Sequence, residues 1–226
     1  MSKSKTNDIA DKLKKKTSMK QEIYLNTFNT FKQFKDVAQD IVRELDHNLR
    51  KNDKRILLEY KSSGDFEMEM KFGSDILVFL MHTNVFEFPR DHEVMKTPYV
   101  REDPDRSYCG VIHVYNFLAD SFRYNRLGDT GYLIARIFIN KDLHYFIEGK
   151  REVGQLYNNF GSTILTWEAI RSMIESAIEY CIKFDLLTPY YDDIKEVSVQ
   201  DMYQYIDNQQ IKTAKRMGFR FLADRE

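Results

Sequence analysis

The sequence contains two cysteines, Cys109 and Cys181, and no Cys-x-x-Cys pair. That scarcity argues against a disulfide framework and for a reducing, cytoplasmic setting. Both cysteines sit in apolar segments and are expected as buried, reduced thiols. Long hydrophobic runs are also missing. The longest, Ile76 to Met81, falls far short of the roughly 20 residues a membrane span needs. The opening MSKSKTND is polar and has no secretory hydrophobic region. No repeat of 20–50 residues is present, which excludes solenoids. The sequence has no Walker A loop, no G-x-G-x-x-G after a strand, no G-x-S-x-G elbow, no His-Glu-x-x-His pair and no kinase signature set. These absences argue against P-loop NTPases, dinucleotide dehydrogenases, α/β-hydrolases and zincins. An enzyme whose site is assembled from scattered residues stays open.

An excess of charge of either sign is missing as well. The formal net charge is -1, but it is unevenly spread. Residues 1–20 carry seven lysines against Asp8 and Asp11, so the rest of the chain is net acidic. A near-neutral body argues against a nucleic-acid-binding face, because phosphate contacts need clustered cations. The lysine-rich start, residues 1–18, is expected as a basic flexible tail. Residues 19–226 are expected as a single domain. Hydrophobic residues make up 42 % and aromatics 14 % of the chain, enough to build a packed core.

The hydrophobic rhythm predicts the elements. A helix is expected from Met19 to Arg50, with Tyr24, Phe28, Phe31, Ala38, Val42, Leu45 and Leu49 as its apolar stripe, widened by Phe34 and Ile41. A stripe this wide suits a helix lying on a sheet; pairing of two such helices in a homodimer is the alternative. Strands are expected over Arg55–Lys61, Phe66–Phe72, Ile76–Phe88, Tyr108–Phe117, Tyr132–Ile139 and Leu143–Glu148. The first three read as an antiparallel meander, and Asn140-Lys141-Asp142 reads as a hairpin turn. Residues 118–131 read as a loop or a short helix. Thr166 caps a helix running to about Leu187, with Trp167, Ile170, Ile174, Ala177, Ile178 and Cys181 on one face. Ser198 and Asp201 resemble a capping box before a second stripe of Val199, Met202, Tyr203, Ile206, Ala214 and Met217. The expected fold class is α+β: a mostly antiparallel sheet of about six strands, preceded by a long helix and followed by two helices.

Two constellations carry chemistry. The first is Arg123, Tyr124, Arg126 and Asp129. If strands alternate in direction, these residues share a sheet end with Lys150 and Arg151. Guanidinium forks suit phosphate or carboxylate, and the tyrosine can stack on a flat ligand. The second is the charged segment 89–107, with Arg90, Asp91, His92, Arg101 and Arg106. His92 beside carboxylates could move a proton. The same groups could bind a divalent metal, although adjacent Asp91, His92 and Glu93 specify no ligand geometry. Alternating strands place the two segments at opposite sheet ends. His113 reads as a packed strand histidine, and His82 and His144 also fall in strands.

The sequence names no cofactor. The expectation ranked first is a non-enzymatic regulatory module that binds a small anionic ligand or a protein partner and can self-associate. An enzyme acting on a phosphate- or carboxylate-bearing small molecule ranks second. Nucleic-acid binding through the tail ranks third.

Overall fold

The computed structural model describes residues 5–51, 53, 55–56, 58–149, 159–183 and 187–207. A long helix, α1 (Lys5–Arg50), precedes an antiparallel sheet of seven strands: β1 (Leu58–Lys61), β2 (Glu67–Phe72), β3 (Asp75–Met81), β4 (Phe86–Glu87), β5 (Tyr108–Leu118), β6 (Tyr132–Asn140) and β7 (Tyr145–Gly149). Six strands lie in the order β1-β2-β3-β5-β6-β7, and β4 pairs with β5 beyond the end of β3. Between β4 and β5 lie α2 (Pro98–Glu102) and two 3-10 turns, Glu93–Lys96 and Pro104–Ser107. The short α3 (Ala119–Arg123) follows β5, and α4 (Trp167–Ile182), α5 (Tyr191–Ile194) and α6 (Val199–Asp207) follow the sheet. This is the α+β class that the segregated patterns predict.

One sheet face is sealed. Met68, Met70, Leu77, Phe79, Ile112, Ile137, Ile139 and Ile147 alternate inward along five strands and meet Phe31, Phe34 and Ile41 of α1. The inner face of α4, built on Ile170, Met173, Ile174 and Ala177, completes this core. Arg171 of α4 clamps Glu44 of α1 through two hydrogen bonds of 3.1 and 2.5 Å. Ile170, Ile174, Ala177, Ile178 and Cys181 of the expected face are buried, joined by Met173, and only Trp167 departs from it, at 40 % exposed. Trp167 is the first residue after the Thr166 cap, whose Oγ1 accepts from the Ala169 N–H at 3.2 Å, so the helix has barely begun there.

The buried line of α1 keeps Phe31, Phe34, Ala38 and Ile41 of the expected stripe and adds Ile23, Thr27, Thr30 and Val37, while Tyr24, Phe28, Val42 and Leu45 are half-buried at the margin. Gly110 on β5 admits the threonines. A Cβ there would stand 2.0 Å from Thr27 Oγ1. The missing side chain lets α1 approach the sheet on its threonines, and Thr27 satisfies its own hydroxyl on the Ile23 carbonyl at 2.8 Å.

Several boundaries depart from expectation. Residues 5–18, expected as a tail, continue α1, because Gly and Pro are absent and Ala10, Leu13 and the lysines favour helix. These residues are exposed along their whole length. The expected strand Ile76–Phe88 is two strands on one partner. Met81 pairs with Ile112 and Phe86 with Cys109, so the four residues 82–85 on one side span two, 110 and 111, on the other. Residues 82–85 bulge outward, and the His82 ring accepts from the Asn84 N–H at 2.9 Å. Leu143, expected in a strand, lies in the turn at φ 59°. Asn140 holds that turn by accepting from the Asp142 and His144 N–H groups, each at 3.0 Å. At the C-terminal helix, Ser198 Oγ accepts from the Asp201 N–H at 3.0 Å, and its hydroxyl donates to the Asp201 carboxylate at 2.8 Å. Ala214 and Met217 of the expected second stripe lie outside the described residues.

Candidate functional site

The second sheet face is only partly covered. On β1 and β2 it presents Glu59, Lys61, Glu67, Glu69 and Lys71, the polar half of the period-two pattern. Near the start of β5 it carries Cys109, Val111, Phe138 and Phe146. Phe88, Val94, Val100 and Phe160 fold over these residues as a second core. Phe88 sits 4.8 Å from Phe138 between ring centres.

A polar latch holds this cover in place. Tyr99 Oη donates to Asp142 at 2.8 Å and accepts from Asn140 Nδ2 at 3.0 Å. Arg106 bridges Asp142, Glu102 and the Tyr99 carbonyl, with its guanidinium 4.3 Å from the Tyr99 ring centre. Lys141 pairs with Asp103, and this bond draws the Asp103 carboxyl below its ordinary range. Burial pushes the Tyr99 phenol up to about 12. The segment 89–107 is thus fastened to the β6–β7 turn by charge-assisted hydrogen bonds.

Between the covered half and the sheet middle lies a cleft of about 530 Å³. Sheet register explains its lining. Cross-strand partners share a face, and one rung reads Leu80, His113, Arg136, Glu148 across β3, β5, β6 and β7. The neighbouring rung, Val111, Phe138, Phe146, is apolar. The cleft therefore has an aromatic floor beside the His113 imidazole, the Arg136 guanidinium and two carboxylates, Glu87 and Glu148. Arg136 Nε donates to Glu148 Oε2 at 2.6 Å, and a second guanidinium nitrogen bonds the same oxygen. The guanidinium lies 5.3 Å from the Phe138 ring centre. His92 enters from the covering segment, stacked on Phe88 at 4.7 Å, with Nδ1 accepting from the Val94 N–H.

The His113 ring is half-buried and makes no hydrogen bond among the described residues. Its pKa is lowered, first by burial and then by the positive field of Arg136 and by His82. It is therefore a neutral imidazole at pH 7 with both ring nitrogens available. Cys109 lies beneath the same cleft, but complete burial raises its pKa and keeps it a thiol.

No family model, curated protein or solved structure matches this chain. The site is therefore weighed on its residues alone.

The sequence-predicted residues are placed as follows. Ala119 N–H bonds the Ser74 carbonyl at 2.7 Å, so α3 and the β2–β3 turn share one sheet end. Residues 89–107 leave from the other end, roughly 33 Å away along β5. The structure brings Arg123, Tyr124 and Arg126 together: both guanidinium groups lie over the exposed Tyr124 ring, at 5.3 and 5.2 Å. Asp129 faces inward and accepts from the Ser121 hydroxyl at 2.7 Å. Lys150 and Arg151 lie outside the described residues. Of the other set, His92 alone lines the cleft. Arg106 is committed to the latch, and Arg90, Asp91 and Arg101 are exposed. Among the described residues no group of three or more His, Cys, Asp or Glu could hold a metal ion.

Arg136 and Glu148 escaped the sequence reading, although a signal existed. A hairpin centred on Asp142 puts Arg136 opposite Glu148, and opposite charges at facing positions mark a cross-strand pair.

Proposed function

We propose that this protein is a non-enzymatic binding module, and that it holds a small, mostly apolar acid in the cleft beside His113. The observation that carries the reading is the His113 imidazole, which makes no hydrogen bond among the described residues. It faces a cavity in which Arg136 is paired with Glu148, with His92 and Glu87 also in the lining. Small-molecule sites combine an apolar wall with a few convergent polar groups in about 300–1,000 Å³, and this cleft matches in size and in lining. A flat apolar body lies on Phe88 and Phe138. A carboxylate accepts a hydrogen bond from His113 and shares Arg136 with Glu148. A second cavity of about 740 Å³, on the outer side of the covering segment, has Glu93 and Glu102 in its lining and no cationic side chain, so it does not suit an acid.

Calorimetric titration with 1-naphthoate, its neutral amide and 1-naphthylamine tests the reading. The acid binds more tightly than the amide, and the amine binds most weakly. Arg136→Ala and His113→Ala each weaken the acid by about tenfold, the loss of one charge-assisted hydrogen bond. Equal binding of acid and amine, or an acid affinity indifferent to both substitutions, overturns it.

A second anion contact at Arg123, Tyr124 and Arg126 has its own supporting observation. Arg126 Nε is buried and lacks a hydrogen-bond partner among the described residues, which leaves a donor to satisfy. Arg126→Ala should weaken binding of inorganic phosphate without changing the naphthoate titration.

A further inference from the structure

A different region carries an inference about self-association, and it does not depend on the cleft. The N-terminal third of α1 touches the start of β5 only through lysines, with Lys16 donating to the Tyr108 hydroxyl at 3.3 Å, and the first buried residue of the helix is Ile23. Ile9 and Leu13 are exposed there, Leu13 at 66 %. The outward bulge at 82–85 faces this helix, and a groove of about 920 Å³ lies between them. Its apolar walls include Ile9, Leu13, Val85 and Phe86. Its rim carries Lys12, Lys16 and Lys20, and no acidic side chain lines it. The groove is both apolar and basic.

The other end of the chain has the opposite character. From Tyr190 to Tyr203 the described side chains include Asp192, Asp193, Glu196 and Asp201 against Lys195 alone. Tyr191 is 77 % and Val199 72 % exposed, and Ile194, Val197, Met202 and Tyr203 are exposed too. In α6 the positions Val199, Met202 and Tyr203 follow the three-four spacing of one helical face. An amphipathic helix with its apolar side in water is destabilised by that exposure unless something covers it.

We infer that the acidic apolar segment 190–207 of one copy docks into the basic apolar groove of a second copy, and that the exchange is reciprocal. Charge complementarity chooses this occupant. The groove offers lysines around an apolar channel, and the segment offers carboxylates around an apolar stripe. In the same structure both surfaces are exposed, so the segment does not fill the groove of its own chain. Because each copy owns one groove and one segment, a two-fold arrangement satisfies both and closes the assembly as a dimer. The contact is helix-in-groove recognition, and salt weakens its charged part.

Sedimentation equilibrium of the full chain tests this, with circular dichroism to confirm that each variant is folded. One variant reverses the groove (Lys12→Glu with Lys16→Glu), one reverses the segment (Asp192→Lys, Asp193→Lys and Asp201→Lys), and one combines both. All five positions are exposed or on the surface of α1 and α5–α6. The wild type is a dimer whose Kd rises with salt. Each single reversal raises the Kd by more than about tenfold, and the combined variant returns towards the wild-type value. A wild type that stays monomeric at every concentration overturns the inference. So does a dimer indifferent to both reversals, which places its interface elsewhere. A monomer in which cysteines introduced at Leu13 and Tyr203 cross-link within one chain also overturns it, by giving the groove to its own segment.

Discussion

The two faces of the sheet are built from the same strands and have different fates. One face alternates Met, Leu, Phe and Ile inward and lies under α1 and α4. The other carries charge on β1 and β2, an aromatic cover at one end of β5, and a row of His113, Arg136 and Glu148 between them. A close-packed face leaves no room for a ligand. A half-covered face keeps a cavity with an apolar floor and polar groups at its edge, which is where binding belongs. In the proposed reading, stability and recognition lie on opposite sides of one sheet.

The division can be broken from either side, and the effects should differ in size. Phe79→Ala removes a fully buried ring on the sealed face and should cost about 3–5 kcal/mol in urea unfolding. Gly110→Ala drives a methyl into Thr27 and should cost about 1–3 kcal/mol. Adding Thr27→Ala should recover part of that loss, because the clash is with the threonine side chain itself. Asn140→Ala removes one of the two hydrogen bonds on the Tyr99 phenol and loosens the β6–β7 turn, for about 1–2 kcal/mol. It should also speed amide exchange in residues 93–107, because one fastening of the cover is lost and the turn that carries the others is loosened.

The smallest effect comes from His113. Its pKa is lowered in the folded state, so the unfolded chain binds its proton first as pH falls. Its contribution to stability is complete above the ordinary value of 6.5 and shrinks as pH drops through 6.5 towards the lowered folded value. His113→Gln should flatten the acid side of the stability curve between pH 7.5 and 5.5. An unchanged slope would remove the depressed imidazole from the account.

Much of the sealed face was legible in the sequence. Phe66 to Phe72 alternates so regularly that β2 and its inward methionines could be read directly, and Thr166 marked the start of α4. The burial of Thr27 and Thr30 on α1 was not legible, because threonines count as polar in a hydrophobic pattern. Only the bare backbone of Gly110, 83 residues away from Thr27 in the sequence, makes them the close-approach side. The bulge at 82–85 hid inside a run that is apolar before and after it. The cleft was partly legible. Arg136 and Glu148 follow from one hairpin register, but His113 joins them only through the β5–β6 pairing. The connection 119–131 and the extra residue Ile134 on β6 leave that register unspecified by local sequence. The Arg123–Arg126 pair stood out because its members are neighbours in the chain. Sequence reading favours such sites over those assembled across strands.

The most direct test follows the His113 imidazole by NMR as pH is varied, with and without 1-naphthoate. The account predicts that His113 titrates below 6.5 in the free protein and above its free value with the acid bound. A His113 titration that the acid leaves unmoved, although the protein is folded, would contradict the assignment of the cleft as the binding site.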